Sequence, residues 1–213
     1  MDDSWDHNAW YHRLLLRQVP PGTARVLEVG CGAGLLSGRL ARRAARVDAV
    51  DRDPGMVALA RSRAPANLAV VQDDVLAVDL PTGAYDAVVS LSVLHHLPLR
   101  PALQRMAGWL RPGGVLAAVA LPRTDLPAEL PVELAAAVGH HVLGTAFAAG
   151  RALTGRPFLA HAPDHAAMPV RDPELTTSQV RAAAAAVLPG VRVRRLVFWR
   201  YELVWSKPFP ALA

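Results

Sequence analysis

The chain has 213 residues, a single cysteine and a formal net charge of +5. A chain of this length can bury roughly 70% of its unfolded surface as one domain, and a lone Cys31 excludes an internal disulfide. The positive charge comes from scattered arginines without interleaved aromatic residues, which argues against a nucleic-acid-binding surface, and the first residues do not resemble a secretory signal, so we expect a cytoplasmic protein.

The first predicted element is an amphipathic helix over residues 4–19, with Ser4 or Asp6 as its N-cap. Two prolines and a glycine at residues 20–22 end the helical pattern.

A glycine-rich turn follows the first predicted strand. Residues 25–29 have strand composition and residues 35–45 have a helical pattern, so Gly30, Gly32 and Gly34 join a strand to a helix. Glycine allows positive φ and close approach of a ligand to the backbone, and the helix N-terminus offers free N–H groups. The G-x-G-x-G spacing differs from that of dinucleotide-binding turns and no lysine follows, which disfavours a pyrophosphate ligand.

Glu28 precedes the first glycine by two residues. A carboxylate at this position would repel a phosphate and would suit an ammonium group or a bound water. The sequence of residues 28–34, E-V-G-C-G-A-G, resembles the first motif of class I S-adenosylmethionine (SAM) dependent methyltransferases, in which this loop wraps the methionine part of the cofactor. Cys31 is expected to pack behind the cofactor and not to act as a nucleophile, because no histidine is near it in sequence. An ordinary glycine turn is the alternative interpretation.

A second predicted strand, residues 47–50, ends at Asp51 and is followed by a helix over residues 54–64. A carboxylate at the end of the second parallel strand can accept hydrogen bonds from both hydroxyls of a ribose, and the resemblance assigns this role to Asp51. Arg52 and Met56 are candidate neighbours of the adenosine.

The third predicted strand, residues 68–71, leads to Asp73, Asp74 and Val75. The resemblance places an acid here against the adenine amino group, and we assign this role to Asp74, with Val75 as an apolar wall. Asp73 is the alternative for this role, and either acid could instead be an exposed loop residue.

The fourth predicted strand begins near Tyr85. Residues 85–97, Y-D-A-V-V-S-L-S-V-L-H-H-L, closely resemble the fourth motif of small-molecule methyltransferases. The resemblance implies that the stretch from Ser90 through Leu91 to His96 lines the cofactor and reaches the transferred methyl group.

The strand–helix alternation continues through a fifth strand, stops at Pro122, and resumes with a helix near Thr177 that two final strands follow. The further predicted elements are a helix over residues 100–110, a strand over 115–121, a helix over 178–187, and strands over 191–199 and 201–206. Such alternation implies an α/β fold with parallel strands, helices on both faces and ligands at the carboxyl ends of the strands. The resemblance implies a Rossmann-like seven-stranded sheet in the order 3-2-1-4-5-7-6, with strand 7 antiparallel and a tight join at Arg200.

We expect one domain in four parts. These are an N-terminal helix over the cleft (1–22), a SAM-binding core (23–121), a lid or substrate insertion (122–176), and a final helix and hairpin (177–213). Within the insertion, residues 132–153 are nearly uncharged, and their small residues and paired histidines disfavour a membrane helix. The insertion follows the fifth strand, at the ligand end of the sheet, so we expect a lid with an apolar face and an apolar substrate, or a helix through which a homodimer forms.

The predicted chemistry is methyl transfer from a sulfonium, an in-line displacement that depends mainly on positioning. A hydroxyl acceptor would benefit from a general base, for which histidine is suited. We assign this role to His95 first and to His12 on the N-terminal helix second, with the histidine pair of the insertion as a third option. The resemblance places this helix over the cofactor, so Tyr11 is a candidate cofactor contact, with a packing role as the alternative. His96 is expected to be structural.

The predicted function is therefore a SAM-dependent methyltransferase that acts on a small, largely apolar metabolite, with oxygen as the favoured acceptor atom, and releases S-adenosylhomocysteine (SAH). One alternative is an enzyme of the same fold that binds SAM and catalyses a rearrangement or cyclisation. A nucleic-acid methyltransferase is disfavoured because neither N-P-P-Y nor D-P-P-Y follows the fourth strand. No H-E-x-x-H or C-x-x-C motif occurs, so we expect no metal, and we also expect no nucleic-acid or membrane partner.

Overall fold

A seven-stranded sheet forms the centre of the computed structural model, which describes residues 5–126, 128–156, 159 and 171–210. The strands are β1 (Thr23–Val29), β2 (Ala44–Asp51), β3 (Leu68–Gln72), β4 (Tyr85–Leu91), β5 (Leu110–Ala120), β6 (Arg192–Leu196) and β7 (Arg200–Ser206). They lie in the order β3-β2-β1-β4-β5-β7-β6, and only β7 runs antiparallel to its neighbours. The order and the direction of β7 confirm the predicted Rossmann-like α/β fold.

Helices cover both faces of this sheet. They are α1 (His7–Arg17), α2 (Leu35–Leu40), α3 (Pro54–Ser62), α4 (Leu99–Trp109), α5 (Leu130–Thr154) and α6 (Thr177–Ala185). Leu103 and Met106 of α4 belong to a buried apolar cluster on one face, and Leu15 of α1 and Leu40 of α2 belong to a second cluster on the other. The strands are apolar on both sides because both sides are covered.

Helix α1 begins at His7, and Asp6 is its N-cap. The Asp6 side chain accepts hydrogen bonds from the backbone N–H groups of Asn8 and Ala9 at 2.8 and 3.0 Å. The alternative cap, Ser4, lies outside the described residues, as do residues 160–170 of the predicted insertion.

Helix α2 is shorter than the prediction of a helix over residues 35–45. It ends at Leu40, because Ala44 already pairs with Thr23 of β1 and begins β2. The alanines and arginines of residues 41–46 favour a helix by intrinsic propensity. Pairing with a buried neighbouring strand outweighs that preference.

The join between β6 and β7 also differs from the prediction. It was expected at Arg200, and the structure places it at residues 197–199, with Arg200 as the first residue of β7. Phe198 and Trp199 both have positive φ, 55° and 57°. L-residues seldom adopt this conformation, and at non-glycine positions it stores backbone strain.

Helix α5 is the long helix of the predicted insertion. Glu133 on this helix accepts a hydrogen bond from Trp199 Nε1 at 2.7 Å, which ties α5 to the β6–β7 join. Its outer face exposes Leu134, Val138 and Val142. Among the described residues it is the one helix long and apolar enough to cross a membrane, which is weak evidence by itself. A homodimer through this face stays a prediction.

Candidate active site

A cavity of about 320 Å³ opens at the carboxyl ends of β1, β2 and β4. Its volume is within the ~300–1,000 Å³ typical of small-molecule sites. The glycine turn, α1, the segments after β2, β3 and β4, and the first residue of β7 form its wall. Ligands of open α/β sheets bind at this edge, so this cavity is the candidate active site.

The glycine turn lies directly against the cavity. Gly30 and Cys31 donate backbone hydrogen bonds to Val50 at 2.7 and 3.2 Å, which holds the turn to the end of β2. Gly30 has φ 72°, and a Cβ added there would lie 2.1 Å from Cγ2 of Val93. Gly30 and Gly32 line the cavity, and this position of Gly30 tolerates no side chain.

Asp51 occupies the end of β2 as predicted. Its Oδ2 accepts the Gly32 N–H at 2.8 Å and its Oδ1 accepts the Asp53 N–H at 3.0 Å. A carboxylate has about four acceptor positions. Asp51 lines the cavity, and two of its acceptor positions therefore remain for hydroxyl donors of a bound molecule.

Glu28 lies at the inner end of the cavity and is 1% exposed. Burial raises the pKa of its carboxyl to about 8, the hydrogen bond from Ser37 Oγ opposes this, and nearby Asp51 adds to it. Burial also raises the pKa of the Cys31 thiol, with smaller contributions from Glu28 and Asp51. Cys31 is thus a protonated thiol in the cavity wall, which agrees with its expected role as a small packing residue.

The segments after β2 and β3 form the far wall. Arg52, Met56 and Val75 line it together with Asp73 and Asp74. Both acids are exposed, and each accepts a local backbone hydrogen bond at 2.7 Å: Asp73 from the N–H of Asp74, and Asp74 from that of Leu76. Both acids line the cavity and therefore remain candidates for contact with the adenine ring.

His12 and His95 line the opposite part of the cavity. Burial lowers the pKa of His12 to about 4 and that of His95 to about 3, and the neighbouring Arg39 and His96, respectively, lower them further. The Nδ1 atom of each ring is buried and has no hydrogen-bond partner among the described residues. Two neutral imidazoles therefore present polar atoms without protein partners near the cavity.

Arg200, Asn8 and Ser92 form a hydrogen-bonded group beside these histidines. Asn8 Oδ1 accepts hydrogen bonds from Ser92 Oγ at 2.8 Å and from Arg200 Nη2 at 3.1 Å. All three residues line the cavity. Burial lowers the pKa of the Arg200 guanidinium to about 10, so it still carries its charge at neutral pH.

Three predicted site residues do not line the cavity. Tyr11 is buried in the apolar cluster between α1 and the sheet and donates its hydroxyl to the carbonyl of Val197, so the packing alternative is correct. Ser90 is fully buried, and its Oγ donates a hydrogen bond to the Val29 carbonyl of the neighbouring strand β1 at 3.0 Å. Gly34 is the N-cap of α2 and lies against Ala60 of α3.

Sequence reasoning missed Asn8 and Arg200. Neither belongs to a motif, and they are 192 residues apart in the chain. The available signal was the position of Arg200 at the last strand join, on the edge where ligands bind. In the described residues, no cluster of histidine, cysteine and acidic side chains could hold a metal ion.

Comparison with known proteins agrees with this geometry. A family model described as a methyltransferase domain matches residues 26–114. An uncharacterized methyltransferase of Mycobacterium tuberculosis H37Rv is 36% identical over 210 residues, which cover 98% of this chain and 100% of the relative.

Two further matches cover different extents. A ubiquinone biosynthesis O-methyltransferase of Xanthomonas campestris is 42% identical over 122 residues, which are 54% of this chain and 50% of that protein. The structure of the N-methyltransferase NodS from Bradyrhizobium japonicum in complex with SAH superposes with a TM-score of 0.61 at 17% identity, over 98% of this chain and 94% of NodS. The match to the full-length relative and the match to the methyltransferase domain show that the chain belongs to the class I SAM-dependent methyltransferases.

Proposed function

We propose that this protein binds SAM in the cavity and transfers its methyl group to a small, largely apolar metabolite, at an oxygen atom. The observation that carries the cofactor assignment is Asp51, whose carboxylate is held by two backbone N–H groups and keeps acceptor positions toward the cavity. Vicinal ribose hydroxyls are the donors that such a carboxylate binds.

The residues of the cavity suit each part of this cofactor. Gly30 and Gly32 offer an approach without side chains for the methionine part, and Glu28 lies beside them. An ammonium group next to Glu28 would favour its ionised form and lower its raised pKa. Val75 and Met56 offer apolar contacts to the adenine ring of the cofactor. When bound, SAM supplies an electrophilic methyl group on a sulfonium.

The histidines orient the acceptor and are poor general bases. An effective base has a pKa near the operating pH, and burial holds the pKa values of His95 and His12 at about 3 and about 4. Each ring lines the cavity and, as a neutral imidazole, can still form a hydrogen bond to the methyl-accepting molecule. We therefore replace the expected role of His95 as a base with one in positioning.

An apolar acceptor is supported by the cavity wall on this side. Leu91, Val93, Leu97 and Leu121 line it. Transfer to oxygen is supported by the partial relative from Xanthomonas, whose name describes an O-methyltransferase. We also propose that the protein acts in the cytoplasm, in line with its single cysteine.

The test of the cofactor site is calorimetric titration with SAM and SAH of the wild type and of Asp51→Ala. Loss of two charge-assisted hydrogen bonds should weaken binding by about 100-fold. Asp79→Ala is the matched control, because Asp79 is exposed and lies outside the cavity wall. Equal SAM affinity in wild type and Asp51→Ala would contradict the assignment.

The mass of the product separates this function from a rearrangement on the same fold. Incubation of candidate acceptors with SAM should give products heavier by one CH₂ unit together with one equivalent of SAH. A product of unchanged mass, formed without SAH, would identify a cyclase or isomerase that keeps SAM as a bound ligand.

A further inference from the structure

The acceptor side of the cavity contains a cation without an anionic partner. Arg200 is the first residue of β7, and its Nη2 donates to Asn8 Oδ1 at 3.1 Å, while Nη1 donates to the carbonyl of Trp199 at 3.2 Å. Within the described part of the chain, no carboxylate forms an ion pair with it, whereas its neighbours Arg194 and Arg195 are paired with glutamates. Its Nε is buried and has no partner among those residues.

Arg200 is partly buried, and a charge that is taken out of water without a direct ion-pair partner is costly and is seldom retained without a use. The charge of Asp6 favours the charged form of Arg200 and partly offsets the effect of burial on its pKa, but Asp6 forms no ion pair with the guanidinium, and its Oδ1 accepts two backbone N–H groups of α1. Tyr11 and Arg195 also face the guanidinium, and neither supplies an anion at neutral pH, because burial raises the pKa of Tyr11 to about 12. Among the described residues, the guanidinium therefore has no carboxylate within ion-pair distance.

The position of Arg200 is fixed by strained backbone. It follows Phe198 and Trp199, both with positive φ, and its partner Asn8 also binds Ser92, which has φ 58°. Non-glycine residues in this conformation persist where the surroundings hold them, and they concentrate at ligand sites. Two such residues thus precede Arg200, and the third, Ser92, belongs to the same hydrogen-bonded group.

The sheet order separates Arg200 from the motifs that follow β1, β2 and β3. The glycine turn follows β1, Asp51 ends β2, and Asp74 follows β3, whereas Arg200 begins β7 on the other side of β4 and β5. Neighbouring strands are about 4.8 Å apart. The start of β7 is thus three strand spacings from β1, at the end of the sheet opposite to the ribose and base positions.

We propose that Arg200, held by Asn8, binds an anionic oxygen, a carboxylate or a phenolate, of the methyl acceptor. The acceptor is then an apolar molecule with an acidic group, and Arg200 selects it against neutral analogues. The planar guanidinium suits this role because it can form two parallel hydrogen bonds to a carboxylate. This assignment rests on the proposed methyl transfer, and the methionine carboxylate of the cofactor is the competing source of the same chemistry.

The test uses matched acids and amides as probes. Binding of 3-phenylpropionate and 3-phenylpropanamide, and of octanoate and octanamide, is measured by saturation-transfer NMR titration with the unloaded and the SAH-loaded protein. The acids should bind the loaded wild type about tenfold more tightly than the amides, or better. Arg200→Gln should remove this preference and leave SAH affinity unchanged within about twofold.

A second variant avoids deletion of a buried side chain. Asn8→Asp places a carboxylate 3.1 Å from Arg200 Nη2 and supplies the missing counter-ion within the protein. The preference for acids should disappear although Arg200 is present, and the melting temperature should be maintained. Arg192→Gln is the control for the loss of one positive charge, because Arg192 is exposed at the start of β6 and lies outside the cavity wall. This control should keep the preference.

The outcomes distinguish the two groups that Arg200 could bind, an acidic group of the methyl acceptor and the methionine carboxylate of the cofactor. Equal binding of acids and amides to the wild type overturns the proposal, and so does a tenfold or larger loss of SAH affinity in Arg200→Gln, which would assign the cation to the cofactor. If the wild type binds neither SAM nor SAH but keeps an Arg200-dependent preference for acids, the anion site stands and the proposed methyl transfer is wrong.

Discussion

Single residues of the glycine turn have different structural roles despite their regular spacing. Gly30 lines the cavity, and the side chain of Val93, in the segment after β4, lies where a Cβ of Gly30 would be. Gly32 donates its N–H to Asp51, and Gly34 packs against α3. All three have positive φ. The requirement at Gly30 is both conformational and steric, because Val93 occupies the space that a Cβ would need.

We predict that Gly30→Ala destabilises the protein more than Gly83→Ala. Both residues have positive φ, 72° and 65°, but nothing lies within 4 Å of a Cβ at Gly83. Gly83→Ala should cost about 1–2 kcal/mol from backbone strain alone, and Gly30→Ala should cost more because Val93 must move. Urea denaturation of both variants measures the difference, and equal losses would show that the contact with Val93 is without consequence.

At the scale of elements, a group of ion pairs joins α5 to the final hairpin. Arg195 on β6 pairs with Glu129 Oε2 at 3.1 Å and with Glu133, and Glu133 also accepts the indole N–H of Trp199. Arg195 is 13% exposed, and the two glutamates 13% and 16%. Since the same Arg195 donates to the Arg200 carbonyl at 2.8 Å, this group also holds the start of β7.

Arg195→Ala should destabilise the protein by about 3 kcal/mol, because it leaves two mostly buried carboxylates without their cation. The expected fall in melting temperature is about 6–12 °C for a chain of this size. Arg192→Ala, an exposed change on the same strand, should cost less than about 0.5 kcal/mol. Replacing Glu129 and Glu133 with Gln in the Arg195→Ala background should recover part of the loss, and a further loss would refute this explanation.

At the scale of the whole molecule, stability should depend on pH through three buried groups of the cavity. The raised pKa of Glu28 means that the folded state keeps a proton between about pH 4.5 and 8 that the unfolded chain releases. The lowered pKa values of His12 and His95 mean that the unfolded chain binds protons below about pH 6.5 that the folded state does not. These opposing contributions predict maximal stability near pH 6.5.

Above this pH the titration of Glu28 outweighs the remaining titration of the two histidines in the unfolded chain, so stability should fall by about 1 kcal/mol between pH 6.5 and 8. Glu28→Gln removes the titrating group and should abolish this fall while the acid-side decrease remains. Denaturant unfolding at a series of pH values measures both limbs. If the stability of Glu28→Gln still falls above pH 6.5 as much as that of the wild type, a group other than Glu28 causes the fall.

The sequence predicted the strands and the turn that carry Asp51 and the glycines because their determinants are local. The α/β class follows from regular alternation and the strand order from the family resemblance, and Asp51 and the glycines lie in short contiguous motifs. The end of α2 was wrong because the residues after Leu40 have helical composition, and only pairing of Ala44 with β1 decides against it. Asn8 and Arg200 could not be found, since their relation depends on the β5–β7 pairing that brings the two ends of the chain together.

The hydrogen bond between Asn8 and Arg200 has a consequence for synthesis of the protein. The ribosome releases α1 well before Arg200, which lies 192 residues beyond Asn8, while the strands carrying Asp51 and the glycine turn can pair earlier. Because chains begin to fold from the N-terminus during translation, the cofactor wall can form before the opposite wall exists. A nascent or prematurely terminated polypeptide that ends before Arg200 thus carries the glycine turn and Asp51 without the residue that we propose binds the acceptor.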